Sequence, residues 1–299
     1  MKQRNLRNTS KLFCFLFFIL PIQASAQDII DYNHPKNIFR FAEYLYNEGD
    51  YLRAIGEYQR YIFVFDSLPS NADSVFYKMG LCYRLSGNFT KAIDNFAKMT
   101  NNNRGKSDLS KVYYQIALTY SLMDKYNESI RFLNSNFPFI NEDNIKLKAN
   151  QLIALNHILQ KEWNPAVDFL DNLDAIKKTD SMTLLLLNYA NEGKHLPRKN
   201  KLFAGLFSSI IPGSGKIYCN RSWDGFFSLL TIGLTSWQAY EGFHKDGTRS
   251  VKGWIFGSLS AVFYLGNIYG SIVSAQIYNE QQEGKFLSKV KLFIDVDFH

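Results

Sequence analysis

Gly80-Leu81-Cys82-Tyr83-Arg84-Leu85-Ser86-Gly87-Asn88-Phe89-Thr90-Lys91-Ala92-Ile93-Asp94-Asn95-Phe96 is the stretch that decides the fold. Two small residues, Gly80 and Ala92, lie twelve positions apart; aromatic Phe89 stands three before Ala92 and bulky Phe96 four after it. This is the pattern of two helices whose small residues let the backbones approach while the larger side chains fill the core. Between them Ser86-Gly87-Asn88 forms a turn, in which glycine supplies the positive φ that ends a helix.

The same pattern recurs along the chain. Ala54, Ala92, Ser129 and Ala166 follow one another at intervals of 38, 37 and 37 residues. Each has a small residue twelve earlier (Ala42, Gly80, Ala117, Ala154), an aromatic three earlier (Tyr51, Phe89, Tyr126, Trp163) and a large apolar residue four later (Tyr58, Phe96, Leu133, Leu170). The turn is kept in the first unit as Asn47-Glu48-Gly49-Asp50, but Asp124 and Lys161 stand at that place in the third and fourth, so its residue pattern decays. Pro165 suits the first turn of a helix, where no hydrogen bond is lost. Polar connectors, Asp66 to Asn71 and Asn101 to Lys106, lengthen the period, and the apolar run Ser181 to Ala190 predicts a helix that covers the last unit.

These offsets resemble the tetratricopeptide repeat, a pair of antiparallel helices that stacks into a solenoid. The resemblance implies an all-α repeat domain over residues 27–193, a binding surface and not a catalytic one. It also implies that first helices line a concave face, offering Tyr46, Tyr77, Arg84, Lys111 and Tyr114 to a protein or peptide partner. In a chain with 18 tyrosines, ordinary packing is an equally good reading of those side chains.

Residues 1–26 read as a signal peptide. Lys2, Arg4, Arg7 and Lys11 precede an apolar stretch, Leu12 to Ile22, that is short for a span, and Ala24-Ser25-Ala26 forms a small-x-small cleavage site. The expectation is a cell-envelope protein with its repeats in the periplasm. Without that segment the 34 basic residues fall to 30 against 27 acidic ones. The remaining excess belongs to the C-terminal part, since residues 194–299 carry 12 Lys/Arg and 7 Asp/Glu. No basic, aromatic-interleaved stripe points to nucleic acid. Cys82 and Cys219 lie far apart in different predicted modules, which argues against a disulfide, and Cys82 reads as a small buried hydrophobe.

Past a basic linker, residues 194–201, three apolar stretches follow: Leu202 to Ile211, Gly225 to Tyr240 and Gly253 to Tyr278. In the third, Gly253, Gly257, Ala261, Gly266, Gly270 and Ser274 form a strip of small residues of the kind membrane helices pack through. Glycine at that density weakens a helix in water by roughly 1 kcal/mol per residue relative to alanine. Between the first two stretches, Pro212-Gly213-Ser214-Gly215-Lys216-Ile217-Tyr218 resembles the Pro-Gly-x-Gly-x-x-Tyr turn of small bacterial membrane hairpin modules. The resemblance covers residues 202–279 and departs from the usual pattern at Cys219-Asn220. Its turn motif is Pro212, Gly213, Gly215 and Tyr218, and it implies a transmembrane helical module in contact with lipid, in the inner membrane. Gly213 to Lys216 is not a phosphate-binding loop, because Ile210 and Ile217 occupy positions that would need glycine and Ser or Thr.

Topology stays open between a re-entrant first stretch followed by a two-pass hairpin and an arrangement that puts Lys285, Lys289 and Lys291 inside the cell. The tail, residues 280–299, alternates apolar and polar from Lys289 onward, which predicts a short strand. The histidines are scattered, and neither metal spacing nor a nucleophile motif is present, so the reading is non-enzymatic with no cofactor and no metal. Glu241 with His244 is the nearest approach to an acid/base pair, and Asn267 is expected to hydrogen-bond across helices. Two functions fit: a membrane-anchored adaptor or scaffold of the envelope, or a non-enzymatic component of a transport or secretion complex.

Overall fold

The structure, a computed structural model, describes residues 31, 33–64, 72–101, 109–174 and 179–297. The signal segment at 1–26, the connector at 66–71 and residues 102–106 of the second connector lie outside the described residues. No strand occurs among the described residues. The chain forms two compact units, one through Leu68 and the other from Pro69 onward.

The first unit is one helix pair, α1 (Pro35–Asn47) and α2 (Tyr51–Val64). Ala42 and Ala54 are both fully buried, and the Tyr58 hydroxyl donates to Glu43 across the pair. His34 caps α1 by accepting from Lys36 N–H, with Pro35 at the first helical position.

The second unit continues the design with α3 (Ala72–Leu85) and α4 (Phe89–Asn101), α5 (Ser110–Leu122) and α6 (Tyr126–Asn136), then α7 (Asp143–Leu159) and α8 (Trp163–Asp171). α9 (Ser181–Lys194) packs on α7 and α8 as the covering helix anticipated from Ser181 to Ala190. Each aromatic three before an anchor is the first residue of its second helix, and each first helix ends seven before the anchor. The architecture is a tetratricopeptide-like helical solenoid.

Contacts within the pairs explain the pattern. A Cβ on Gly80 would lie 2.5 Å from the Phe96 ring, so the small position and the bulky one are direct partners. Where the third unit has serine as its anchor, the Ser129 hydroxyl donates to the carbonyl of Ala117, the small residue twelve earlier, at 2.7 Å. It also accepts from Asn156 Nδ2, which stays satisfied in a fully buried site.

The four turns share one backbone conformation despite their different residues. Gly49, Gly87, Asp124 and Lys161 all stand five before the anchor, and all have positive φ, at 79°, 79°, 57° and 64°. The pattern decays in residue type only. A left-handed non-glycine residue costs about 1–2 kcal/mol, and the third and fourth turns carry that cost.

The rest of the second unit is α10 (Lys201–Ile210), the short α11 (Ser214–Tyr218), α12 (Ser222–Asp246), a 3-10 corner at Gly247–Arg249, and α13 (Val251–Asp297). α12 and α13 form an antiparallel pair, and α10 lies along α13. α13 overturns the expected terminal strand, because the helix runs without a break through residues 289–297. Phe286 and Val290, four apart, are buried against the solenoid, where Phe286 meets the rings of Trp163 and Tyr189 at 5.7 and 6.1 Å. The helical period of those two residues outweighs the five-residue alternation that follows Lys289.

Candidate functional site

Three regions bear on function: the solenoid surface, the Pro-Gly turn, and the far half of α13. On the solenoid, the proposed contact residues have different environments. Tyr46 is half-buried, its ring edge-on to Tyr51 at 5.9 Å. Tyr77 is half-buried beside Phe96, whereas Arg84 and Tyr114 are buried, near enough for Arg84 and Tyr77 to act on the Tyr114 phenol. Burial is the main influence on that phenol and pushes its pKa up. Lys111 is exposed and pairs with Glu142 at 3.7 Å. A crevice of 450 Å³ also opens on the array, bordered by Phe137, Asn150 and Phe169.

At the turn, Pro212 and Gly213 interrupt the hydrophobic helix, Gly213 has φ +88°, and the chain doubles back as α11. The break frees backbone groups at the end of α10 and the start of α11, and such groups are costly if left unpaired. Asn267 of α13 satisfies them from both ends of its amide: its Oδ1 accepts from Gly213 N–H at 3.1 Å and its Nδ2 donates to the Ser208 carbonyl at 3.3 Å. Ser208 Oγ accepts from Gly215 N–H at 3.0 Å and pairs with Ser271 Oγ at 2.6 Å. Tyr264 donates to the Ser209 carbonyl at 2.6 Å. Asn267 therefore bonds across helices, as its place in the sequence suggested.

Space at the turn is set by glycines. A Cβ on Gly215 would stand 1.9 Å from the Ala204 carbonyl oxygen, and one on Gly213 would stand 2.0 Å from the Gly225 oxygen. Tyr218 closes the loop: its hydroxyl accepts from Asn200 N–H at 3.2 Å, and its ring lies under the Lys199 ammonium at 4.5 Å. α10 begins and α11 ends on the same side of the bundle. Along the small strip, Gly253 meets the Phe243 ring and Gly242, Gly257 is in ordinary contact with Phe243 and Ala239, and Gly270 lies under Lys216. Gly266 faces open space. Only the start of the strip is a close backbone approach, through Gly242 and Gly253.

Large apolar side chains on these helices point outward. Leu202, Leu206, Ile210, Trp223, Phe226, Leu230, Leu234, Trp237, Ile255 and Leu265 are all exposed, while Ala204, Ser208, Asn267, Ser271, Ser274 and Ala275 are buried. By length and composition, Val251–Leu292 of α13 is apolar and long enough to cross a bilayer, whereas α12 has the length but a lower mean hydropathy. Glu241 is held by Lys245 at 2.9 Å and Lys252 at 2.7 Å, while the His244 ring stacks on Tyr240, so the two do not form an acid/base pair.

The far half of α13 is tied to the solenoid by groups that the sequence reading missed. Glu283 pairs with Lys161 at 2.7 Å and Arg198 at 3.3 Å, Lys289 with Glu192 at 3.2 Å, and Lys291 with Asp124 at 2.9 Å. Asp124 and Lys161 are the two non-glycine turn residues, so the third and fourth turns hold charged side chains where glycine could hold none. Hydrogen bonds from Tyr126 and then Lys291 keep the Asp124 carboxyl below the usual carboxylate range. Lys289 and Lys291 thus lie on the solenoid's side, against the arrangement that would set them across a membrane from it. The departure from glycine at 124 and 161 was the available signal, though nothing in the sequence names its partners.

Cys82 and Cys219 are buried, and neither forms a disulfide among the described residues. Among the described residues, no group of three or more His, Cys, Asp or Glu side chains could hold a metal ion. Compared with known families, residues 74–104 match the tetratricopeptide repeat, a segment that takes in most of α3, the Gly87 turn and α4. No curated protein matches the chain. The chain thus carries a tetratricopeptide repeat inside a solenoid of the same design, an architecture typical of protein-interaction scaffolds and not of enzymes.

Proposed function

We propose that the protein is a membrane-anchored scaffold of the bacterial cell envelope, whose repeats hold a protein or peptide partner while residues 202–279 sit in the lipid bilayer. One observation carries the anchoring: from Leu202 to Tyr269 most of the large apolar side chains face outward around an interior made mainly of small and polar residues. A water-soluble protein rarely exposes an apolar surface of that extent. In lipid the arrangement is favourable, because bilayer helices gain from small-residue contacts and internal hydrogen bonds.

In this reading α13 makes the apolar crossing, α12 has the length for a second, and α10 is a re-entrant segment. The 25 residues of α12 extend about 37 Å at 1.5 Å per residue, against a hydrocarbon core of about 30 Å. The 10 residues of α10 reach about half that depth before Pro212 turns the chain back. Non-helical backbone at such depth is tolerated where protein groups satisfy it, as Asn267 and Ser208 do here. With the repeats in the periplasm, the corner carrying Lys245, Arg249 and Lys252 would face the cytoplasm, in keeping with the preference for Lys and Arg on that side. Partner contact is assigned, in the second unit, to the repeat surface around Tyr77 and Lys111, with Arg84 and Tyr114 supporting it from within, and separately, in the first unit, to Tyr46.

Membrane fractionation of the full chain tests the anchor. Retention in the membrane pellet through high-salt and alkaline washes is expected; release by salt alone would overturn the reading. Affinity capture comparing the parent with Tyr77→Ala and Lys111→Glu tests the partner surface, with loss of a captured protein expected.

A further inference from the structure

Between α12 and α13, next to the Pro-Gly turn, lies a crevice of 630 Å³ with two unlike ends. One end is cationic, formed by Lys216 and Arg221 with Asp224. The other is walled by Phe227, Val262 and Phe263, and continues into the outward apolar faces of the two helices.

The charges at the polar end are unequally matched. Arg221 Nε donates to Asp224 at 2.6 Å and its Nη1 to Ser274 Oγ at 3.2 Å. Lys216 Nζ donates to the Ser228 hydroxyl at 2.8 Å, and no carboxylate among the described residues lies within ion-pair distance of it. Asp224, already held by Arg221, acts on Lys216 only from beyond ion-pair distance, so a half-buried ammonium bonded directly to a hydroxyl is incompletely compensated, and an arriving anion relieves that.

Two glycines shape the place. A Cβ on Gly270 would stand 3.4 Å from Lys216 Cε, so bare backbone there lets the lysine chain lie across α13. A Cβ on Gly266 would meet nothing within 4 Å, and that residue keeps the crevice open.

We propose that this crevice holds an anionic phospholipid, its phosphate on Lys216 and Arg221 and one acyl chain along Phe227, Val262 and Phe263. The proposal rests on the bilayer reading of residues 202–279. Basic pockets between membrane helices bind lipid head groups in this manner, and the open apolar end admits a chain from the side, which a free inorganic anion would not need.

The test uses the full chain in detergent with mixed phosphatidylglycerol and phosphatidylcholine, reading retained lipid by native mass spectrometry. The parent is expected to favour phosphatidylglycerol by about tenfold, the equivalent of one charged hydrogen bond. Lys216→Gln should bring the two lipids to parity. Gly266→Leu, which fills the crevice without touching the cations, should lose both lipids while helicity by circular dichroism is unchanged. Parity in the parent, retention unaltered in both variants, or displacement of the lipid by inorganic phosphate would each overturn the proposal. Flotation with vesicles separates the two readings. A chain that does not float overturns the bilayer reading and this site with it, whereas one that floats without head-group preference overturns the site alone.

Discussion

The solenoid and the C-terminal hairpin use the same device, a small residue where two helices touch, and turn it in opposite directions. In the solenoid, Ala92, Ala117, Ser129 and Ala166 meet in an interior filled by Phe96, Leu118, Leu133, Ile153 and Leu170, all essentially without exposure. In the hairpin, Ala204, Ser208, Asn267, Ser271 and Ala275 take the inside, and Phe226, Leu230, Leu234 and Leu265 the outside. The difference teaches what holds each part together. Water drives the first, since burying its large side chains is worth about 1.5–3 kcal/mol each. In the proposed bilayer setting the second relies on close packing and satisfied polar groups, which suffice where the surroundings are as apolar as its surface.

The strongest way to break this comparison is to truncate a ring on each side. Phe96→Ala should cost the solenoid about 3–5 kcal/mol, because a fully buried ring leaves a cavity. Phe226→Ala, at an outward position, should change fold stability by less than about 0.5 kcal/mol. Chemical denaturation in detergent measures both, and equal costs would erase the contrast.

A sharper test stays inside the hairpin. Gly215→Ala brings a Cβ onto the Ala204 carbonyl and should destabilise by about 1–3 kcal/mol. Gly266→Ala, which faces open space within a helix, should stabilise by about 0.5–1 kcal/mol. Thermal unfolding of the two variants should therefore move in opposite directions. Asn267→Leu should cost about 1–3 kcal/mol by leaving the Gly213 amide and the Ser208 carbonyl without their partner. Measured in the same detergent, an Asn267→Leu midpoint equal to the parent's would mean that the polar interior contributes nothing.

The smallest effect joins the two regions. Because the folded-state pKa of Asp124 is lowered, its contribution is present above the unfolded value of about 3.9 and is lost as pH falls through the lower folded one. The parent should melt slightly above Asp124→Asn near neutral pH, by an amount equivalent to under about 1 kcal/mol for so exposed a pair. That difference should close below about pH 4. A gap that persists in acid would mean that the bonds of the Asp124 carboxylate to Tyr126 and Lys291 are not its source.

Much of this was legible in the chain. The offsets around Ala92 located four helix pairs, because contact between helices requires small residues at fixed spacing whatever else varies. Asn267 stood out as a polar residue in an apolar stretch, and Pro212-Gly213 as a break in one. The terminal segment misled: alternation from Val290 to Phe298 was too short to compete with burial of Phe286 and Val290 on the solenoid end. The lone Lys216 in an apolar setting was visible too, but a cation is informative only once its neighbours are known.

By itself, then, the sequence determined the repeat, its register and the presence of a second, apolar module, since these depend on contacts a few residues apart. The tertiary structure alone decided which side of each apolar helix faces out, which residues cap the Pro-Gly break, and that Asp124 and Lys161 grip α13 from turns that otherwise favour glycine. Those outcomes join residues 54 to 167 positions apart. No local pattern encodes such pairings, because the free energy that selects them exists only when the whole chain has packed.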